Sequence, residues 1–123
     1  MEFDELSKRA IGCALEVHRT LGPGLLESAY QQCLAYELGR AGIPFVMELP
    51  VPVNYKGVKL DCGYKLDFVI DGQLVLELKS VEKLLPIHEA QVLTYMRLSG
   101  MSVGLLLNFN VVRLKDGIKR MVL

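Results

Sequence analysis

The sequence predicts an α/β fold in which a mixed β-sheet lies between helices. Three observations carry that reading. Two amphipathic helical stretches open the chain, over residues 4–21 and 25–41. Strand-like runs, some alternating and some fully apolar, fill residues 45–79. A helix over 86–99 then leads into a second apolar strand, Val103–Leu107. Strand, helix, strand is the right-handed crossover that joins parallel neighbours, so Leu74–Lys79 and Val103–Leu107 are expected side by side.

Taken in order, the first helix shows Leu6, Ala10, Cys13, Ala14, Val17 and Leu21 at helical spacing, with Lys8, Glu16 and Arg19 off that stripe. Gly22-Pro23-Gly24 ends it. His18, three residues before Leu21, fits a capping role at this helix end or an approach to Glu27 across the turn. The second helix has the stripe Tyr30, Leu34, Leu38 and Ala41 and stops at Gly42 and Pro44. Glu27 precedes Tyr30 by one turn on the same side; it fits either a first-turn acid favoured by the helix dipole or a functional carboxylate. Prolines 50 and 52 make Phe45–Val53 an edge strand or a bend. Residues 64–70 alternate, with Tyr64, Leu66, Phe68 and Ile70 on one face and Lys65, Asp67 and Val69 on the other. Asp71-Gly72 signals a hairpin into the strand Leu74–Lys79. In the helix 86–99 Ile87, Gln91, Tyr95 and Leu98 share a stripe, with His88 one turn before Gln91; a glutamine thus occupies an otherwise core-facing position. Residues Val111–Leu114 and Ile118–Leu123 flank Lys115-Asp116-Gly117 as a C-terminal hairpin rich in arginine and lysine.

With 123 residues the chain suits one domain, 1–123. Acidic and basic residues balance at 14 each, which excludes a uniformly basic nucleic-acid coat but not a local patch. The three cysteines lie far apart without a C-x-x-C pair, so neither a disulfide framework nor a zinc knuckle is expected. The start MEFDELSKR lacks the apolar stretch of a signal peptide, and no apolar run is long enough for a bilayer. A cytoplasmic protein is expected.

The chemistry centres on Leu74-Val75-Leu76-Glu77-Leu78-Lys79. Period two puts Glu77 and Lys79 on one face of an otherwise apolar strand, where unpaired charge is costly. Together with Asp67 they make the pattern D-x9-E-x-K across one hairpin. Two carboxylates and the backbone carbonyl of Leu78 suit a hard divalent cation. A lysine beside them suits a reaction in which water attacks a phosphodiester. The same residues also fit a salt-bridged strand end. Register separates the two. A two-residue turn makes facing residue numbers sum to 143 and sets Asp67 opposite Leu76. A three-residue loop, or a bulge, makes the sum 144 and sets Asp67 opposite Glu77; it is the expected one, because the two-residue register also sets Lys65 and Asp67 opposite leucines.

The stretch Val17-His18-Arg19-Thr20-Leu21-Gly22-Pro23-Gly24-Leu25-Leu26-Glu27-Ser28-Ala29-Tyr30 resembles the signature of the GxxExxY protein family, grouped with the PD-(D/E)XK nucleases. The likeness continues through Tyr55-Lys56-Gly57, Asp67, Glu77-Leu78-Lys79, Gln91 with Tyr95, Gly104-Leu105-Leu106, Asn108-Phe109 and Asp116-Gly117-Ile118-Lys119-Arg120. It implies a restriction-endonuclease-like fold. It also implies a catalytic set of Glu27, Asp67, Glu77, Lys79 and Gln91. Asp67, Glu77 and the Leu78 carbonyl would hold Mg²⁺ or Mn²⁺, with Glu27 joining directly or through water. The implied reaction is hydrolysis of DNA or RNA. Small size and neutral charge leave room for a homodimer or a protein partner that adds binding surface. The competing reading is a non-catalytic protein-interaction module on the same fold, motivated by the prolines at 50 and 52 and the apolar C-terminus Met121-Val122-Leu123.

Overall fold

The structure is a computed structural model that describes residues 3–123, so the first two residues of the expected 1–123 domain lie outside it. Helices α1 (Glu5–Leu21) and α2 (Glu27–Arg40) come first, followed by strands β1 (Phe45–Pro50), β2 (Val53–Tyr55), β3 (Val58–Leu60), β4 (Lys65–Ile70) and β5 (Leu74–Lys79). Helix α3 (Pro86–Ser99), strand β6 (Val103–Asn108), a 3-10 turn (Leu114–Gly117) and strand β7 (Ile118–Val122) complete the chain. Asp4 caps α1 by accepting the Ser7 N–H at 2.7 Å. Gly100, in the left-handed conformation, closes α3.

Five strands form one mixed sheet in the order β1-β4-β5-β6-β7. β5 and β6 are parallel across the α3 crossover, and the remaining neighbours are antiparallel. β1 lies at an edge, where Pro50 costs no ladder hydrogen bond. β2 and β3 form a separate two-stranded hairpin.

Each face of the sheet carries its own core. On one, Ala10, Ala14 and Val17 of α1 and Tyr30, Leu34 and Leu38 of α2 pack against Phe68, Ile70, Leu74, Leu76, Leu78, Leu105 and Leu107. On the other, Val92 and Met96 of α3 pack against Leu66, Val69, Val75, Leu106 and Met121. The close approach of α3 depends on Gly104, where a Cβ would stand 2.9 Å from Met96 Sδ and 3.3 Å from Val75 Cβ.

Several expectations are corrected here. Leu66 does not share a face with Phe68: it belongs to the α3 core, while Phe68 belongs to the α1–α2 core. The facing strand shows the same switch, with Met47 on the α1–α2 side and Leu49 on the other. Between them Glu48 sits at φ 52°, a turn of the backbone that breaks strict alternation. Residues 111–114 are not a strand; they form a loop and the start of the 3-10 turn, and β7 pairs with β6. The stripe Ile87, Gln91, Tyr95 and Leu98 is not the buried face of α3, because Val92 and Met96 take that place. Ala41 and Leu21 are exposed.

Candidate functional site

The β4–β5 connection has three residues, Asp71-Gly72-Gln73, and the register pairs Ile70 with Leu74, Val69 with Val75 and Phe68 with Leu76. Each pair sums to 144, so Asp67 lies opposite Glu77. Asp71 and Gly72 both take left-handed conformations, at φ 50° and 65°, and the Gln73 N–H closes the loop on the Ile70 carbonyl at 2.9 Å.

Beyond Phe68–Leu76 the ladder stops and side chains take over. The Asp67 N–H donates to Glu77 Oε1 at 2.9 Å, and the Leu78 N–H donates to Asp67 Oδ2 at 2.8 Å. Each carboxylate thus satisfies the backbone of the opposite strand, which leaves a gap in the β4–β5 ladder. The exchange uses one oxygen of each acid and leaves Asp67 Oδ1 and Glu77 Oε2 for a ligand. In a strand the N–H and C=O of one residue point the same way, so the Leu78 carbonyl faces this gap as well.

Glu77 and Lys79 share the face of Val75, beneath α3. Glu77 is only 7% exposed, and Lys79 is half-buried at the strand's end. Burial, then the neighbouring Asp67 charge, pushes the Glu77 carboxyl up to about 8, against the pull of the Asp67 N–H and Lys79. Asp67 is also raised, chiefly by burial, although the Leu78 N–H and Lys79 oppose the shift. Both feel Glu27, and Asp67 also feels Glu48. Four carboxylates therefore share a field with one lysine, and Lys79 forms no ion pair among the described residues.

Glu27 opens α2 and is exposed, so it lies outside the buried stripe that begins at Tyr30. The loop before it is held by Tyr30. Its hydroxyl donates to the Gly22 carbonyl at 2.6 Å and accepts the Leu25 N–H at 3.1 Å, while its ring stacks on Phe109 with centroids 4.6 Å apart. Ser80 Oγ donates to the Leu25 carbonyl at 2.5 Å, fastening the loop to the residue that follows Lys79. Gly24 supplies the φ of 96° this loop needs. In the run Gly24-x-x-Glu27-x-x-Tyr30, the glycine and tyrosine build the loop and the glutamate is the exposed group. Asn108 performs a similar service after β5: its amide brackets Val81, accepting the N–H at 3.1 Å and donating to the C=O at 2.9 Å.

Gln91 is exposed on α3 and lines a groove with Tyr64 and Tyr95, one turn away. Burial and the charge of Glu77 raise the Tyr95 hydroxyl, which ties this part of α3 to the carboxylates. His18 neither caps α1 with its ring nor meets Glu27. It is buried, and its Nε2 lies 2.8 Å from the Val111 carbonyl, 93 residues away. His88 Nδ1 accepts the Leu85 N–H at 2.9 Å and so finishes the start of α3.

Sequence reasoning missed Glu48. It sits where the β1–β4 pairing skips from Met47–Phe68 to Leu49–Leu66, its charge raises the Asp67 carboxyl, and no pattern in the sequence pointed to it. Among the described residues no three His, Cys, Asp or Glu side chains gather at ion-binding distance. The donor set suited to a hard cation is accordingly two carboxylates and a carbonyl, with Glu27 and Glu48 adding negative field from further out. That chemistry fits Mg²⁺ or Mn²⁺, since a buried carboxylate pair with raised pKa values is stabilised by positive charge.

A family model described as the PD-(D/E)XK nuclease superfamily matches residues 4–121. Neither the curated proteins nor the solved structures compared with the chain gave a match. No helix among the described residues is long and apolar enough to cross a membrane.

Proposed function

This chain belongs to the PD-(D/E)XK nuclease superfamily, and from that premise we propose that it is a metal-dependent nuclease of the GxxExxY type that hydrolyses phosphodiester bonds of DNA or RNA. The observation that carries the reading is the exchange between Asp67 and Glu77. It seats two carboxylates in one gap, with Lys79 two residues along the same face.

Asp67, Glu77 and the Leu78 carbonyl would hold the ion, with Glu27 joining directly or through water. Mg²⁺ or Mn²⁺ bound there supplies a Lewis acid that makes a water nucleophilic at neutral pH and offsets charge on the phosphate oxygens. Lys79 donates to a phosphate oxygen and orients the attacking water from the strand end. Gln91 contacts the nucleotide from the α3 side. The carboxylate pair works as a unit: burial raises both acids, the Asp67 charge raises Glu77 further, and a bound cation would offset both effects.

The test is cleavage of single- and double-stranded DNA and RNA in Mg²⁺ or Mn²⁺. Wild type is expected to cut at least one class, with Glu77→Ala and Lys79→Ala slower by about 10²-fold or more. No cleavage of any substrate, together with no ion binding in calorimetry, would favour the non-catalytic protein-interaction module instead.

A further inference from the structure

The β2–β3 hairpin is unusual in this molecule: none of its residues is buried. Its cross-strand pairs, Val53 with Leu60 and Tyr55 with Val58, turn through Lys56 and Gly57 in left-handed conformations. A hairpin of this size is marginal by itself in water, and this one leaves Tyr55, Val58 and Leu60 exposed. The segment 53–65 carries Lys56, Lys59 and Lys65 against one acid, Asp61. A local positive patch thus stands on a chain of zero net charge.

Between this hairpin and α3 lies an open groove of about 400 Å³, within the roughly 300–1,000 Å³ of small-ligand sites. Val53 forms one wall; Ile87, Gln91 and Thr94 form the other. At its side Tyr64 and Tyr95 meet at 5.4 Å and 38°, a tilted contact that leaves Tyr64 45% exposed. Tyr64 lies three residues before Asp67, and α3 covers the sheet face that bears Glu77 and Lys79. The groove therefore adjoins the carboxylates, close enough that the Glu77 charge acts on Tyr95.

An exposed aromatic ring, with an amide and a hydroxyl in the same lining and lysines on the adjoining segment, suits one kind of occupant. We propose that this groove receives an unpaired nucleobase, stacked on Tyr64 and edged by Gln91 and Thr94, so that the protein engages single-stranded or locally unpaired nucleic acid. The inference rests on the nuclease reading and names its substrate class. Duplex binding draws chiefly on neutralising many phosphates, which a neutral chain with three lysines on the segment 53–65 does poorly. Stacking serves every base and needs little charge. Bases splayed from single strands on aromatic rings also leave the backbone free to reach a neighbouring site.

The experiment measures fluorescence anisotropy of labelled 12-nucleotide probes on the full chain carrying Glu77→Gln, which prevents cutting. The probes are single-stranded DNA, single-stranded RNA and the blunt DNA duplex. Either single strand is expected to bind at least about tenfold tighter than the duplex, the DNA and RNA arms showing which sugar is preferred. Adding Tyr64→Leu should weaken single-strand binding by about tenfold, while Tyr64→Phe retains it. Ile87→Glu, on the exposed first turn of α3, should give a comparable loss and stands in if Tyr64→Leu does not fold. Duplex binding as tight as single-strand binding, no binding, or indifference to Tyr64→Leu and Ile87→Glu overturns the inference. Cutting of duplex by the wild type that ignores Tyr64→Leu overturns it while leaving the nuclease reading intact. Tyr64-dependent single-strand binding without any cleavage by the wild type upholds the groove and removes the nuclease reading.

Discussion

The two ends of the β4–β5 pair are built from the same strands and do opposite things. Near Asp71-Gly72-Gln73, Phe68, Val69 and Ile70 face Leu76, Val75 and Leu74 in an unbroken antiparallel ladder, buried from both sides. At the next pair, Asp67 and Glu77 replace backbone partners with their own carboxylates, and the ladder ends. The closed end holds the sheet together by apolar burial. The open end keeps two acids in a place where burial raises both. A closed ladder thus carries two acids whose ionised forms burial disfavours, and each end should respond differently to substitution.

The largest effect on stability is expected at the closed end. Leu76→Ala removes a fully buried side chain from the α1–α2 core and should cost about 3 kcal/mol. Cleavage per folded molecule should stay within about twofold of wild type, measured beside denaturant melts. A loss of cleavage matching the loss seen at Glu77 would erase the distinction between the ends.

At the open end the sign reverses. Glu77 has a folded pKa of about 8, above its ordinary 4.5, so folding favours its protonated form. Its contribution is full below about pH 4.5 and is lost as pH rises through about 8. Glu77→Gln keeps an acceptor for the Asp67 N–H without the charge. It should therefore stabilise the metal-free protein by about 2 kcal/mol at pH 8.5 and by little at pH 4.5. Thermal melts at the two pH values check this, and a variant less stable than wild type at pH 8.5 would contradict it. Saturating Mg²⁺ should narrow the difference by stabilising wild type alone.

The smallest effect belongs to the loop that carries Glu27. Tyr30→Phe keeps the stack on Phe109 but removes the bonds to Gly22 and Leu25. A loss of about 1 kcal/mol is expected, with a severalfold fall in cleavage as Glu27 loosens. Unchanged kinetics would mean that the position of Glu27 does not matter to the reaction.

How much of this was readable beforehand differed by residue. Period two placed Glu77 and Lys79 on one face, and the poor pairing of Lys65 and Asp67 with leucines in the two-residue register pointed to the three-residue loop that the structure has. The hydrophobic pattern could not reveal that Leu66 and Phe68 part company, because the switch arises from the backbone turn at Glu48 on a neighbouring strand. His18 was opaque for a related reason: its partner, Val111, is far off in sequence. Helical spacing found the stripe of Ile87, Gln91 and Tyr95 but cannot tell a groove from a core. The GxxExxY run was informative through Tyr30, whose hydroxyl bonds explain why a tyrosine follows Glu27 by one turn.

The central claim is that the gap between Asp67 and Glu77 holds a divalent cation. Calorimetric titration of Mn²⁺ into wild type and Glu77→Gln at pH 8.5 and 6.5 tests it most directly. One ion per chain is predicted at pH 8.5, with binding weaker by about tenfold or more at pH 6.5, where the ion must displace a proton, and lost in Glu77→Gln. No binding to wild type, or equal binding to the variant, would contradict the account.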